Sequence, residues 1–80
     1  MKITVVGAGY VGLSNALLFS KQHDVIVLDI DKARVKQINQ KVSPISDTCI
    51  QNYLSESHVE ATYDKTLAYQ DAKLIIIATP

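Results

Sequence analysis

The sequence has few of the residues and patterns that mark several classes of protein. Its 80 residues include one cysteine, two prolines and three glycines. The single cysteine, Cys49, excludes an internal disulfide framework and fits a reducing compartment, so we expect a cytoplasmic protein. No apolar run approaches the roughly 20 residues that a membrane-spanning helix needs. We therefore expect neither a disulfide-rich secreted domain nor an integral membrane protein.

The charges show no excess of either sign. Eight basic and eight acidic residues give a formal net charge of zero, and no long block of one sign occurs. Binding to nucleic acid or to an anionic membrane surface requires clustered positive charge, so we expect neither partner. Hydrophobic residues make up 48% of the chain, which is enough for a core in one small domain.

Short apolar strands alternate with helices along the chain. Strands are predicted at 1–6, 24–29, 57–62 and 74–79, where apolar and β-branched residues cluster. Helices are predicted over 10–22, from the N-cap Asp31 to about Val42, from the N-cap Asp47 onward, and over 64–70. Strands that are apolar on both faces predict an α/β fold. We expect a parallel sheet with helices on both faces, and if the strand order follows the dinucleotide-binding plan, a Rossmann-type order of 3-2-1-4.

A glycine-rich turn follows the first strand. Gly7, Gly9 and Gly12 match the pattern G-x-G-x-x-G. In that pattern the first glycine permits a tight turn, the second lets the backbone approach a pyrophosphate, and the third lets helix and strand pack closely. The helix start offers free N–H groups and partial positive charge to phosphates. Such turns also occur without a ligand, but the flanking strand and helix favour a dinucleotide site.

An acid ends the second predicted strand. Asp29 lies 20 residues after Gly9, where a carboxylate accepts hydrogen bonds from the adenosine ribose hydroxyls and repels a 2′-phosphate. The cofactor predicted is therefore NAD rather than NADP. Arg34 leaves several interpretations open. It could accept a phosphate, lie over the adenosine ribose, pair with Asp29 or Asp31, or be an ordinary exposed helix residue.

Four segments together resemble one enzyme family. They are M-K-I-T-V-V-G-A-G-Y-V-G-L-S, L-D-I-D-K-A-R, S-P-I and I-I-I-A-T-P. They are similar to the N-terminal domain of the UDP-glucose 6-dehydrogenases, in the UDP-glucose/GDP-mannose dehydrogenase family. The resemblance implies a cytoplasmic, homodimeric parent that makes a polysaccharide precursor. That parent would oxidise UDP-glucose to UDP-glucuronate and reduce two NAD molecules.

The resemblance also implies the cofactor contacts, position by position. They are Gly7, Ala8, Gly9, Tyr10, Val11, Gly12, Asp29, Arg34 and Thr79. The family often has a glycine before S-P-I, where this chain has Lys41 and Val42, so the local turn could differ. We expect residues 1–80 to be a truncated, N-terminal part of the NAD-binding domain, with the substrate and catalytic domains absent.

No catalytic residue is predicted within the chain, which we expect to be inactive alone. The family's nucleophile is a cysteine of a C-terminal domain, and Cys49 has no base at motif spacing. Cys49 is predicted to be a small, half-buried apolar residue. His23 and His58 belong to no metal or catalytic spacing, and both are predicted to lie on the surface.

Two alternatives stay open. Dehydrogenases of GDP-mannose and UDP-N-acetylmannosamine belong to the same class, and their substrate-reading residues would lie outside this chain. A non-enzymatic NAD-sensing regulatory module, such as those that gate potassium uptake, would use a similar glycine turn and acid. The S-P-I segment and the A-T-P ending favour a dehydrogenase.

Overall fold

A computed structural model describes residues 1–78 and shows one parallel sheet flanked by helices. The strands are β1 (Lys2–Val6), β2 (Asp24–Leu28), β3 (Glu60–Thr62) and β4 (Leu74–Ile77). The helices are α1 (Tyr10–Phe19), α2 (Lys32–Asn39), α3 (Thr48–Glu56) and α4 (Lys65–Tyr69). All strand pairs are parallel and their order is β3-β2-β1-β4, which confirms the predicted fold.

The central strand β1 determines where the site lies. It pairs with β2 on one side and β4 on the other, so that Val5 aligns with Val27 and Ile76. Because neighbouring strands are parallel, β1 and β2 end at the same edge of the sheet. Gly7 and Asp29 directly follow those two ends. Two segments far apart in sequence thus become neighbours.

The main core lies between the sheet and helices α1, α2 and α3. Its fully or almost fully buried side chains include Ile3, Val5, Leu13, Ala16, Val27, Ile38, Leu54 and Val59. Side chains alternate along a strand, so Thr4 points to the other face. There its buried hydroxyl donates a hydrogen bond to the carbonyl of Ala68 in α4. The predicted helices on both faces are therefore present.

Aspartate side chains cap three of the helices. Asp31 accepts hydrogen bonds from two amides at the start of α2, and Asp47 accepts one at the start of α3, as predicted. Asp64 caps α4 in the same way. Each cap satisfies N–H groups that have no partner inside the helix. Among residues 1–78, no helix is long and apolar enough to cross a membrane.

Two helices end before their predicted ends. Helix α1 ends at Phe19 rather than near residue 22, because the amides of Gln22 and His23 both turn back to the Phe19 carbonyl. This tight reversal is needed to begin β2 beside β1. The apolar residues before this reversal did not indicate where the helix ends.

Helix α2 ends at Asn39 rather than near Val42. The Val42 amide donates to the Gln37 carbonyl at 2.8 Å, and Lys41 has a φ of 63°. This is the helix-ending arrangement in which glycine is usual at the left-handed position. The turn before S-P-I therefore keeps a glycine-type conformation, although a lysine occupies it.

The last strand, β4, lies at the edge of the sheet and is largely exposed. Leu74, Ile75 and Ile77 are exposed among the described residues, and Ile77 is 73% exposed. Helix α4 has only five residues and packs mainly on β2 and β3. Nothing in residues 1–78 covers the outer part of β4.

The predicted exposure of individual residues was correct in one case and wrong in two. Cys49 is exposed rather than half-buried, because α3 turns Ile50 and Leu54 towards the core instead. His58 is exposed as predicted, but His23 is half-buried. Its Nδ1 is buried without a hydrogen-bond partner in the part of the chain that the structure describes. In that part, no cluster of His, Cys, Asp or Glu could hold a metal ion.

Candidate cofactor-binding site

The segment from residue 7 to residue 12, here called the phosphate turn, runs from the end of β1 into the first turn of α1. Gly7 has a φ of 107°, in the left-handed region that L side chains rarely adopt. Its amide donates to the Leu28 carbonyl at 2.8 Å, so the turn begins fixed against the end of β2. Gly7 therefore has the steric role that the sequence predicts.

Gly12 is required by packing. A Cβ added there would lie 1.9 Å from the Gly7 carbonyl oxygen and 3.4 Å from the Cβ of Ala78. Backbone atoms cannot move aside as a flexible side chain can. Only glycine lets the first turn of α1 approach the end of β1 this closely.

Gly9 differs from both Gly7 and Gly12. Its φ of −75° and ψ of −171° are extended values that any residue adopts. A Cβ added at Gly9 would meet no atom of the described residues within 4 Å. Neither backbone strain nor packing within residues 1–78 explains this glycine. A ligand that approaches the backbone closely would explain it.

The start of α1 lacks the kind of cap that the other helices have. Gly9 is its N-cap and supplies no side-chain hydrogen bond, and the first turn contains no acid. The first intrahelical bond runs from the Leu13 amide to the Gly9 carbonyl at 2.9 Å. The amides before Leu13 consequently point out of the helix end, which carries partial positive charge. This is the arrangement that binds phosphate groups.

Asp29 connects the phosphate turn to α2. One carboxylate oxygen accepts the Ala8 amide at 2.7 Å, and the other accepts the Asp31 amide at 2.8 Å. Each oxygen of an ionised carboxylate can accept a second bond. Half-buried Asp29 thus retains acceptor capacity for ribose hydroxyls.

Arg34 pairs with Asp31 rather than with Asp29. Its Nε lies 3.7 Å from an Asp31 carboxylate oxygen, and the two side chains are 43% and 49% exposed. An exposed pair of this kind contributes little stability. Arg34 is therefore a loosely held cation on the first turn of α2, close in sequence to Asp29.

A cavity of about 310 Å³ lies beside the phosphate turn. Gly7 and Asp29 form part of its lining, together with Ile30, Tyr63 and Tyr69. Sequence reasoning did not assign these last three residues to the site. Ile30 carried a usable sequence signal, because it is an apolar residue next to Asp29, and in the structure it is 88% exposed. Tyr63 and Tyr69 carried no such signal, since only the fold brings them to this edge.

The structure thus brings most of the predicted contacts together. Residues 7–12 and Asp29 lie at one sheet edge, with Arg34 on the helix that follows. Tyr10 and Val11 are exposed on the first turn of α1. Thr79 lies outside the described residues.

The family follows from comparison with known proteins. Residues 1–80 match the sequence model of the UDP-glucose/GDP-mannose dehydrogenase family, NAD binding domain. The chain belongs to this family. The predicted resemblance and the predicted cofactor, NAD, are both confirmed.

Individual relatives support the assignment. UDP-glucose 6-dehydrogenases of Streptococcus pneumoniae and Campylobacter jejuni are 46% and 45% identical to the whole chain. The GDP-mannose dehydrogenase structure from Pseudomonas aeruginosa matches all of the chain with a TM-score of 0.94 at 29% identity, and the match covers 20% of that structure. The chain spans 21% of the length of each of the two curated relatives.

Proposed function

We propose that this NAD-binding domain serves a UDP-glucose 6-dehydrogenase. That enzyme would convert UDP-glucose, two NAD+ and water to UDP-glucuronate and two NADH. The two relatives at 46% and 45% identity favour this substrate over GDP-mannose, whose dehydrogenase is 29% identical. Family membership favours a dehydrogenase over an NAD-sensing regulatory module.

The open space at Gly9, in front of the uncapped start of α1, is the observation that carries the cofactor assignment. The phosphate turn, including Ala8, Tyr10 and Val11, would bind the pyrophosphate through its backbone. Bound NAD supplies the hydride acceptor, and the residues of this chain bind and orient it. No catalytic residue is assigned to the chain.

The adenosine half would lie at the ends of β1 and β2. Asp29 would accept the ribose hydroxyls with its remaining lone pairs. The neighbouring cavity, largely apolar and bordered by Ile30 and Tyr63, suits an adenine ring. Arg34 would lie near the ribose, and Thr79 stays a proposed cofactor contact.

The parent is further proposed to be a cytoplasmic homodimer that produces a polysaccharide precursor. The exposed, unpaired thiol of Cys49 suits a reducing compartment. The relatives' substrate, UDP-glucose, is the partner proposed for the parent.

Two measurements test these proposals. Calorimetric titration of the chain should show NAD binding at least roughly tenfold tighter than NADP, because Asp29 repels a 2′-phosphate. Equal affinities would contradict the role of Asp29. For the full-length gene product, two NADH should form per UDP-glucose consumed. Faster turnover of GDP-mannose would overturn the substrate assignment.

A further inference from the structure

We propose that Asp29 has a second role, which is to hold the phosphate turn in its binding conformation before NAD arrives. The inference rests on the proposed function and adds a positioning role to a ribose-binding residue. It predicts that Asp29 affects ligands that have no ribose at all.

Residues 7–9 begin the phosphate turn, and their only side chain is the Ala8 methyl group, which is buried in the core. Two consecutive amides also fix the segment to the end of β2. The Gly7 amide donates to the Leu28 carbonyl at 2.8 Å, and the Ala8 amide donates to the Asp29 carboxylate at 2.7 Å.

The second of these bonds depends on the side chain of Asp29. A hydrogen bond to an ionised carboxylate is stronger than one between neutral groups. Ala8 is buried, so loss of its acceptor would leave a buried amide unpaired. The segment would then gain freedom next to Gly9, where the open space for the ligand lies.

The other oxygen of Asp29 fixes the carboxylate itself. It accepts the Asp31 amide at 2.8 Å, and Asp31 is in turn the N-cap of α2. The carboxylate is thus held between the phosphate turn and the start of α2. Pre-organisation of this kind raises affinity because less conformational freedom is lost on binding.

Two substitutions separate this role from charge and from ribose binding. Asp29→Asn and Asp29→Ser remove the same charge. The single amide oxygen of asparagine can still accept from Ala8, with loss of the bond to the Asp31 amide, whereas a serine hydroxyl is too short to reach Ala8. Inorganic pyrophosphate is the probe, because it has no ribose. We expect Asp29→Ser to bind pyrophosphate roughly fivefold or more weakly than Asp29→Asn does. Asp24→Asn, at the opposite end of β2, is the charge control.

The Ala8 amide gives a direct readout by NMR in the ligand-free protein. We expect it to be protected from hydrogen exchange in the wild type and in Asp24→Asn. Asp29→Ser should lose that protection. Should that variant fail to fold, rapid exchange of the Ala8 amide in the wild type would still overturn the proposal.

The possible failures can be told apart. Equal pyrophosphate affinities for Asp29→Asn and Asp29→Ser would overturn the positioning role, even with NAD binding to the wild type intact. No NAD binding to the folded wild type would instead overturn the proposed function.

Discussion

The three glycines of the phosphate turn fit one sequence pattern but have three different physical requirements. Gly7 needs a left-handed backbone, and Gly12 needs the absence of a Cβ 1.9 Å from a carbonyl oxygen. Gly9 meets neither condition, since its backbone is extended and its surroundings among residues 1–78 are open. Stability and cofactor affinity should therefore respond to different glycines.

Substitution of Gly9 and Gly12 tests this separation. Gly12→Ala should lower the free energy of unfolding by about 1–3 kcal/mol or more, because backbone atoms must shift. Gly9→Ser should change it by less than about 1 kcal/mol, since serine is a good N-cap. Its new side chain should nevertheless weaken NAD binding roughly tenfold or more, because the pyrophosphate can no longer approach closely.

Urea denaturation followed by circular dichroism gives the stabilities, and calorimetry gives the affinities. The interpretation fails if Gly9→Ser binds NAD as tightly as the wild type does. It also fails if Gly12→Ala is as stable as the wild type.

At the scale of an element, the end of α2 shows how one side chain can support an unfavourable backbone. Lys41 takes the left-handed position that usually belongs to glycine. Its ammonium group donates to the carbonyls of Ser57 at 2.8 Å and Val59 at 3.2 Å. These bonds attach the end of α2 to the chain that enters β3.

Two substitutions of Lys41 separate the strain from the hydrogen bonds. Lys41→Ala loses the bonds and keeps the strained φ, whereas Lys41→Gly loses the bonds but removes the strain. We expect the alanine variant to be less stable than the glycine variant by about 1 kcal/mol. Urea unfolding of the two variants checks this, and equal midpoints would show that the turn is not strained.

At the scale of the whole molecule, the exposed strand β4 should govern association of the chain. One side of β4 pairs with β1, and Ile75 and Ile77 are exposed. Apolar strand edges without a partner invite pairing with another chain. We therefore expect the 80-residue chain to associate as its concentration rises.

A charge on β4 should suppress this association. Ile75→Lys places a solvated ammonium group on the exposed strand, so sedimentation should show a larger monomer fraction. Thr66→Lys, on exposed α4, adds the same charge elsewhere and should behave like the wild type. Equal suppression by both variants would indicate a general charge effect instead.

Much of the site could be predicted because its signals are local. The glycine spacing, Asp29 at a strand end and the caps Asp31 and Asp47 each depend on neighbouring residues and on backbone geometry. Predictions failed where contacts between distant segments of the chain determine the local structure. Cys49 is exposed because α3 turns other residues inward, and α1 ends at Phe19 because the chain must reverse into β2.

The sequence by itself determined the alternation of strands and helices, the family and the glycine turn, because periodicity and short motifs depend on adjacent residues. Only the tertiary structure decided that Gly9 is free of packing constraint and that Asp29 holds the Ala8 amide. Both depend on the parallel pairing of β1 and β2, which places residues 7–9 against residue 29. No local sequence pattern specifies which atoms then fill the space between these two segments, or which part of that space stays open.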